Sequence, residues 1–450
     1  MTNRQADSES EMVVVRRLHD VFSTGKTPEA TYTPRTGGDP NGLTFDQRLK
    51  DKAVRESGGV MLFGVSKSGK TSLVERILPE SAACWLQGTR INTMDDFWRT
   101  LAQQLNVSDA YSAQISSDAT RTEGDKFDVG LKPILSVGFD NSDKQSEGAS
   151  HSWSYSGVSA QQVEDALTGV ARPIVLDDFH HVDPDLRVEI AKAIKPLLRK
   201  TFIVLVAIPS HSFDPAKTVA DIGGRMTQFK IPDWTVDELT AIADKGFRQL
   251  NVTDPGNELA KLLANCSFGS PHIMQELCYA FLSKGLKVTE TVKSKIAWIP
   301  GDAEQILEDT ATESEPFAFQ AILAGRNTKG EGRKDIRLKD GGITDSYGIT
   351  LLAIKGLIPP IVLRFKTIRQ SVSDLTRESI AKERVVAALI GMAAVAEKNK
   401  GGADPIFSYR DEVAYIEDPL LAFFLKYGRW RQHAVREPGK YTGEPERPLF

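Results

Sequence analysis

The chain has 450 residues, of which 40% are hydrophobic and 26% charged, with a net charge of −4. That is ordinary globular usage, enough for two to four domains at roughly 100–200 residues each; it excludes a chain disordered throughout and a polycation binding nucleic acid over its whole surface. The charge is uneven, since residues 317–450 hold 22 Lys and Arg against 16 Asp and Glu.

The polar start, MTNRQADSESEM, lacks the apolar stretch of a signal peptide. Residues 1–58 read as a turn-rich strap, with several Pro and Gly between Thr27 and Gly42. Gly59–Gly64 (GVMLFG) is a short apolar run ending in glycine, the pattern of a buried strand. Thr71–Leu78 has helical spacing, and Ala82–Leu86 is a second apolar run. Asn92–Leu105 places Phe97, Leu101 and Leu105 on one helical face behind a Thr93 cap.

Residues 107–158 interrupt this alternation. Phe127–Phe139 alternates with period two, and Ser150–Ser156 repeats the pattern with His151, Trp153 and Tyr155. The pair reads as a β-hairpin insertion with a polar tip at 141–148. Three uses fit it: a strand pair packed on its own domain, an oligomer or nucleic-acid contact, or a membrane contact. Only the first strand reaches the roughly 9–11 residues that span a bilayer, so membrane contact is not the expectation. Helix Ala160–Leu167, strand Pro173–Leu176, helix Pro184–Leu198 and strand Phe202–Ile208 follow. All-apolar strands alternating with helices predict a parallel sheet covered on both faces.

Beyond Ile231 the pattern turns helical: Thr235–Phe247 with a Thr235/Glu238 capping box, Glu258–Leu263, Pro271–Ser283 and Lys293–Ile299. Helices near Phe317–Leu323, Ser346–Lys355, Val372–Ile380 and Glu383–Lys398 then precede two short strands, Ile406–Tyr409 and Val413–Ile416, around Arg410-Asp411-Glu412. Helices followed by a two-stranded wing make a winged-helix layout, closed by an amphipathic helix at Asp418–Trp430. The longest apolar run, Val385–Ala396, is too short to cross a bilayer. Cys84, Cys266 and Cys278 form no C-x-x-C pair, which fits a reducing compartment. A cytoplasmic protein is expected.

The strongest chemical signal is Gly64-Val65-Ser66-Lys67-Ser68-Gly69-Lys70-Thr71, a match to G-x-x-x-x-G-K-[ST] at every defined position, with a strand before and a helix after. Glycines let the backbone curl so that its N–H groups point at phosphate oxygens, and the following helix adds its positive end. Lys70 is expected on the β/γ-phosphates of ATP and Thr71 on Mg²⁺. Gly64, Ser66, Lys67, Ser68, Gly69 and Ser72 complete the cradle, although Lys67 also reads as a solvated side chain. The second signal is Pro173-Ile174-Val175-Leu176-Asp177-Asp178, an apolar strand ending in two acids. Asp177 is expected to hold the metal and Asp178 to orient or deprotonate the attacking water. Aspartate is one methylene shorter than glutamate, and small misplacement costs rate, so slow turnover is expected.

These two motifs resemble the AAA+ superclass and its signalling relatives, the STAND NTPases. Ser267-Phe268-Gly269-Ser270-Pro271-His272-Ile273-Met274-Gln275 resembles the G-x-P-x-x-x-Q segment of prokaryotic STAND proteins, a resemblance that places Pro271 near the base. As in that group, the segment has no sensor-2 arginine. Gly223-Gly224-Arg225 resembles the arginine that approaches a γ-phosphate, in cis or from a neighbouring subunit. Either Ser210 or His211 stands where a sensor-1 residue would. Glu417-Asp418-Pro419-Leu420 resembles the segment closing the winged helix in STAND-type ATPases. The resemblance implies an α/β fold with a P-loop NTPase core (59–232, insertion 107–158), a helical lid (233–300), a winged-helix domain (301–430) and a tail (431–450). It implies an ATPase that switches conformation or assembles into a homo-oligomer in the ATP state, as in anti-phage or stress defence; the alternatives are a DNA-associated motor or loader and a membrane-acting assembly.

Thr33-Pro34-Arg35 reads either as a strap contact to base or ribose through Arg35 or as a Pro-fixed linker. His180 and His181 read as a polar lead-in to the next helix, with a γ-phosphate relay as the alternative and no metal site expected. Arg364, Lys366 and Arg369 form a basic cluster, which leaves DNA and a protein as the two partners for the winged-helix segment.

Overall fold

The computed structural model describes residues 15–107, 154–155, 158–170, 172–209, 217–218, 222, 225–326, 333–401 and 404–437. The chain forms two compact units, one of residues 50–61 and 78–229 and the other of 1–49, 62–77 and 230–450. Up to residue 230 the elements that frame the site are β1 Gly58–Phe63, α1 Lys70–Ile77, β2 Cys84–Gln87, α2 Met94–Gln104, β3 Ile174–Asp177, α3 Pro184–Leu197, β4 Phe202–Ala207 and β5 Met226–Lys230. Beyond it come α4 Val236–Gln249, α5 Glu258–Cys266, α6 Pro271–Ala280, α7 Ser346–Leu357, β6 Val362–Arg364, α8 Phe365–Leu375, α9 Lys382–Lys398, β7 Phe407–Arg410, β8 Val413–Ile416 and α10 Pro419–Tyr427.

The first unit is built on a five-stranded parallel sheet, so the fold is α/β. Its order is β2-β3-β4-β1-β5, with Cys84 opposite Ile174 and Ile174 opposite Ile203. Every residue of β3 and β4 is buried. A strand covered on both faces has no solvent side to alternate toward, which explains the unbroken runs Ile174–Leu176 and Phe202–Ala207. Helix α2 starts at a capping box: Thr93 accepts from the Asp96 N–H, and the Asp96 carboxylate accepts from the Thr93 N–H. Helix α3 starts with Asp183 as cap and Pro184 in its first turn. Of the expected hairpin insertion, Phe127–Phe139 and its tip lie outside the described residues. The described part is a short antiparallel pair, Ser154–Tyr155 with Val158–Ser159.

In the second unit the strap wraps helix α1. Thr27 donates to the Glu75 carboxylate, Tyr32 donates to Asp46, and the Arg76 guanidinium lies 4.6 Å from the Tyr32 ring centre. One core joins α4, α5 and α6 to Leu18, Val21 and Phe22 of the strap. A second core fills the space among α7, α8, α9 and the three-stranded sheet β6-β8-β7. The turn between β7 and β8 has two left-handed residues, Asp411 (φ 49°) and Glu412 (φ 57°). Such a two-residue turn matches the natural twist of a hairpin. Phe423 of α10 packs into the first of these cores while Phe424 packs into the second, and Tyr427 donates to the Cys266 sulfur.

Two expectations are corrected. Lys293–Ile299 is not a helix: it is extended, and Lys295–Ile296 pairs in parallel with Val252–Thr253. Pro300 pushes Ile299 out of the helical region, and the pairing with Val252–Thr253 claims the backbone before it. The helix expected at Val372–Ile380 is α8, seven residues earlier at its start, where Phe365, Ile368 and Val372 make the buried stripe. All three cysteines are buried free thiols. Among the described residues, no helix is long and apolar enough to cross a membrane.

Candidate functional site

The P-loop follows directly from β1. Its backbone is turned by two left-handed residues, Lys67 (φ 56°) and Gly69 (φ 84°). The glycine takes such a value at no steric cost, whereas at Lys67 the surroundings must hold it. Gly64 is needed for a different reason: a Cβ there would sit 2.6 Å from the Ile231 carbonyl oxygen. Lys70 opens α1, is 7% exposed, and folds its ammonium back over the loop, donating to the carbonyls of Val65 (2.7 Å) and Gly64 (3.2 Å). An ammonium that rests on loop oxygens in this way can exchange them for phosphate oxygens. Ser68 is buried, Ser66 and Ser72 are half-buried, and Thr71 is exposed on the first turn of α1.

Lys67 is not a solvated side chain. Its ammonium donates to both carboxylate oxygens of Asp418, at 2.7 and 2.9 Å, across 351 residues of sequence. Asp418 also caps α10 by accepting from the Leu420 N–H. His272, in the first turn of α6, belongs to the same cluster. Its pKa is held below the ordinary histidine value by burial and then by the Lys67 charge, against the opposing pull of Glu276 and Asp418. Pro271 stands beside it as the first residue of α6, with Ser270 as the cap, and the turn before it uses Phe268 and Gly269 in left-handed conformation.

Arg35 is committed to protein partners. Its guanidinium donates to both carboxylate oxygens of Glu238 (3.0 and 3.1 Å) and to the Asp233 carbonyl (2.7 Å), and it lies 4.4 Å from the centre of the Trp234 ring. It is 7% exposed, and its Nη1 is buried with no hydrogen-bond partner among the described residues. Burial works to raise the Glu238 carboxyl, but the bonds from Arg35 and Thr235 outweigh it and hold the group below its ordinary value.

In the first unit, Asp177 ends β3 and is 3% exposed, and its carboxylate accepts from the Asp178 N–H. Asp178 is left-handed (φ 53°, ψ 38°). A side chain on Gly88, just past β2, would come within 2.2 Å of the Asp178 carbonyl oxygen, so only glycine allows this approach. The turn also brings Asp178, His180 and His181 together, with one ligand atom from each within 4.8 Å of the others. His180 Nδ1, however, accepts from the Ile208 N–H, so a neutral ring carries its proton on Nε2. That is the opposite of a metal-binding imidazole, which donates its second nitrogen outward. Arg225 lies beside Gly58 at the amino end of β1 and donates to the Lys195 carbonyl. Ser210 and His211 lie outside the described residues.

Sequence reasoning missed Trp234, Gly88 and the pairing of Lys67 with Asp418. Only Trp234 carried a local signal, an aromatic directly before a capping box.

No family model matches the chain, and no curated protein matches it. Solved structures do resemble it. The Walker-type ATPase of Pyrococcus abyssi is 14% identical, over 88% of this chain and 99% of that one, with a TM-score of 0.46. The ORC1 protein of Aeropyrum pernix, solved in complex with DNA, is 13% identical over 91% and 96%, with a TM-score of 0.41. A signal transduction ATPase with numerous domains and a tetratricopeptide repeat sensor from Pyrococcus horikoshii is 14% identical over 84% of this chain and 41% of that one, with a TM-score of 0.34.

Proposed function

We propose that this protein binds ATP with Mg²⁺ at the P-loop, hydrolyses it slowly, and uses the bound nucleotide to switch the position of its C-terminal segment. The observation that carries the reading is the Lys67–Asp418 pair, because it ties the phosphate-binding loop itself to the helix that closes the β7–β8 hairpin. A polyphosphate in the loop offers Lys67 a stronger partner and repels the Asp418 carboxylate at short range. Nucleotide state and the position of α10 are then linked, and each biases the other.

In this reading Lys70 and Thr71 take the phosphates and the metal, Asp177 is the second metal ligand, and Asp178 orients water. Bound Mg²⁺ would neutralise charge on the phosphate oxygens. Arg225 acts on a neighbouring subunit, which makes the ATP state a homo-oligomer. The test is mass photometry of the full chain with ADP and with a non-hydrolysable ATP analogue. Growth in mass with the analogue alone supports the switch, and one unchanging mass overturns it.

A second reading, a DNA-associated motor acting through a winged helix at 301–430, has one observation in its favour. Arg364, Lys366 and Arg369 at the start of α8 are all exposed, and among the described residues none forms an ion pair. Turnover stimulated by DNA, with a steep loss of binding as salt rises, would favour it.

A further inference from the structure

The geometry points to Trp234 as a positioning residue for the P-loop: its indole N–H fixes the direction in which the Ser68–Gly69 peptide presents its own N–H to a phosphate. The inference deepens the reading above and rests on the P-loop being the nucleotide site.

The indole Nε1–H of Trp234 donates to the Ser68 carbonyl oxygen at 2.9 Å. A peptide unit is planar and trans, so its C=O and N–H point in opposite directions. Holding the Ser68 carbonyl outward toward the indole therefore turns the Gly69 N–H to the other side of the peptide plane. Gly69 is the residue with φ 84°, and glycine alone resists rotation of this peptide very little. The indole holds this peptide from outside the motif. The indole also lies along the residue, since a Cβ on Gly69 would be 4.0 Å from the far edge of the ring.

Trp234 is in turn fixed on its other sides. The Arg35 guanidinium lies against its face, the arrangement in which a cation is attracted by the ring. Arg35 is locked by Glu238, and Glu238 is the N3 residue of the capping box that starts α4. The carbonyl of Trp234 lies 3.8 Å from where a Cβ of Gly269 would be, beside the Ser270–Pro271 start of α6. The order of support is thus α4 cap, Glu238, Arg35, Trp234, Ser68. This gives strap residue Arg35 a role one step removed from the phosphates, and it gives the lid a grip on the loop backbone.

The test uses the full chain. Trp234→Phe keeps the aromatic face for Arg35 and removes only the N–H. The expected result is a loss of ADP and ATP affinity of about five- to tenfold, the scale of one hydrogen bond, together with faster amide hydrogen exchange in the P-loop peptide of the nucleotide-free protein and an unchanged unfolding temperature. Arg35→Met, which strips the guanidinium from the indole at similar length, should speed the same exchange, and it serves if Trp234→Phe does not fold. In wild-type protein labelled with ¹⁵N, one of the six indole signals should move when ADP is added and be missing from Trp234→Phe. Affinity and P-loop exchange equal to wild type in Trp234→Phe would overturn the inference while leaving the nucleotide site intact. Wild-type protein that binds neither nucleotide would overturn the site itself; faster exchange in the variant would then show only that the indole orders the loop, and the assignment to phosphate binding would fall with the site.

Discussion

Two turns of this molecule do similar geometric work by opposite means. The P-loop and the Asp177–Asp178 turn each follow a buried strand of the parallel sheet, and each needs left-handed residues where a charged side chain stands: Lys67 at φ 56° and Asp178 at φ 53°. The acidic turn is held by its own surroundings. The Asp177 carboxylate takes the next N–H, and Gly88 at the end of the neighbouring strand packs on the Asp178 carbonyl. The P-loop is held by residues 351 and 166 positions away, with Asp418 on Lys67 and Trp234 on Ser68. Local support makes a turn rigid whatever the rest of the chain does. Remote support lets the rest of the chain report on the turn, which a switch requires.

The largest effect should come from the residue proposed to meet the phosphates. Lys70→Ala removes the ammonium that now bridges the carbonyls of Gly64 and Val65. Nucleotide affinity by calorimetry should fall by about 100-fold or more, the scale of two charge-assisted bonds. An unchanged affinity would remove the P-loop from the nucleotide site. Next in size is Gly88→Ala, which tests the local support. A methyl 2.2 Å from a backbone oxygen cannot be accommodated without moving the turn, and overpacking of this kind costs about 1–3 kcal/mol. Urea unfolding of the variant should show that loss, and a stability equal to wild type would mean the Asp178 turn is not braced from Gly88.

Asp418→Asn tests the remote support and should act with the opposite sign to Lys70→Ala. Asparagine still caps α10, so the helix start survives. The carboxylate partner of Lys67 is lost, at a cost of about 1 kcal/mol for a partly exposed pair, and a negative charge leaves the edge of the P-loop. Nucleotide affinity should rise about three- to fivefold. A fall in affinity would show that Asp418 assists the nucleotide and does not compete with it.

What the sequence reveals and conceals follows the same division. The motif Gly64–Thr71, the strand before it and the helix after it are legible because each depends on residues adjacent in the chain. The apolar runs Ile174–Leu176 and Phe202–Ala207 are legible as buried parallel strands because burial on both faces imposes one composition. Lys67 is not: a lysine in a glycine-rich loop reads as solvated until a partner 351 residues away is brought to it. The internal bonds of Arg35 are hidden for the same reason, since its partners Glu238 and Trp234 lie some 200 residues on. The failure at Lys293–Ile299 is of another kind. Its apolar spacing suits a helix, but Pro300 biases its end and a parallel bridge to Val252–Thr253 claims its backbone.

The smallest predicted effect concerns pH and the His272 cluster. Burial, then Lys67, lowers the pKa of His272, while Glu276 and Asp418 pull it back up. The folded state therefore prefers the neutral ring more than the unfolded chain does, where the value is about 6.5. As pH falls past that point the unfolded chain takes up a proton first, and stability drops until the lower folded value is passed. The contribution of this site is complete above about pH 6.5 and lost through the weakly acidic range. His272→Asn, which keeps a polar side chain without the titration, should flatten the stability profile between pH 6.5 and 5 by comparison with wild type. Because Asp418 raises this pKa, Asp418→Asn should lower it further and deepen the loss over that range. If the two profiles instead coincide, Asp418 is not electrostatically coupled to the start of α6, and the Lys67–Asp418 pair would have to act on the loop alone.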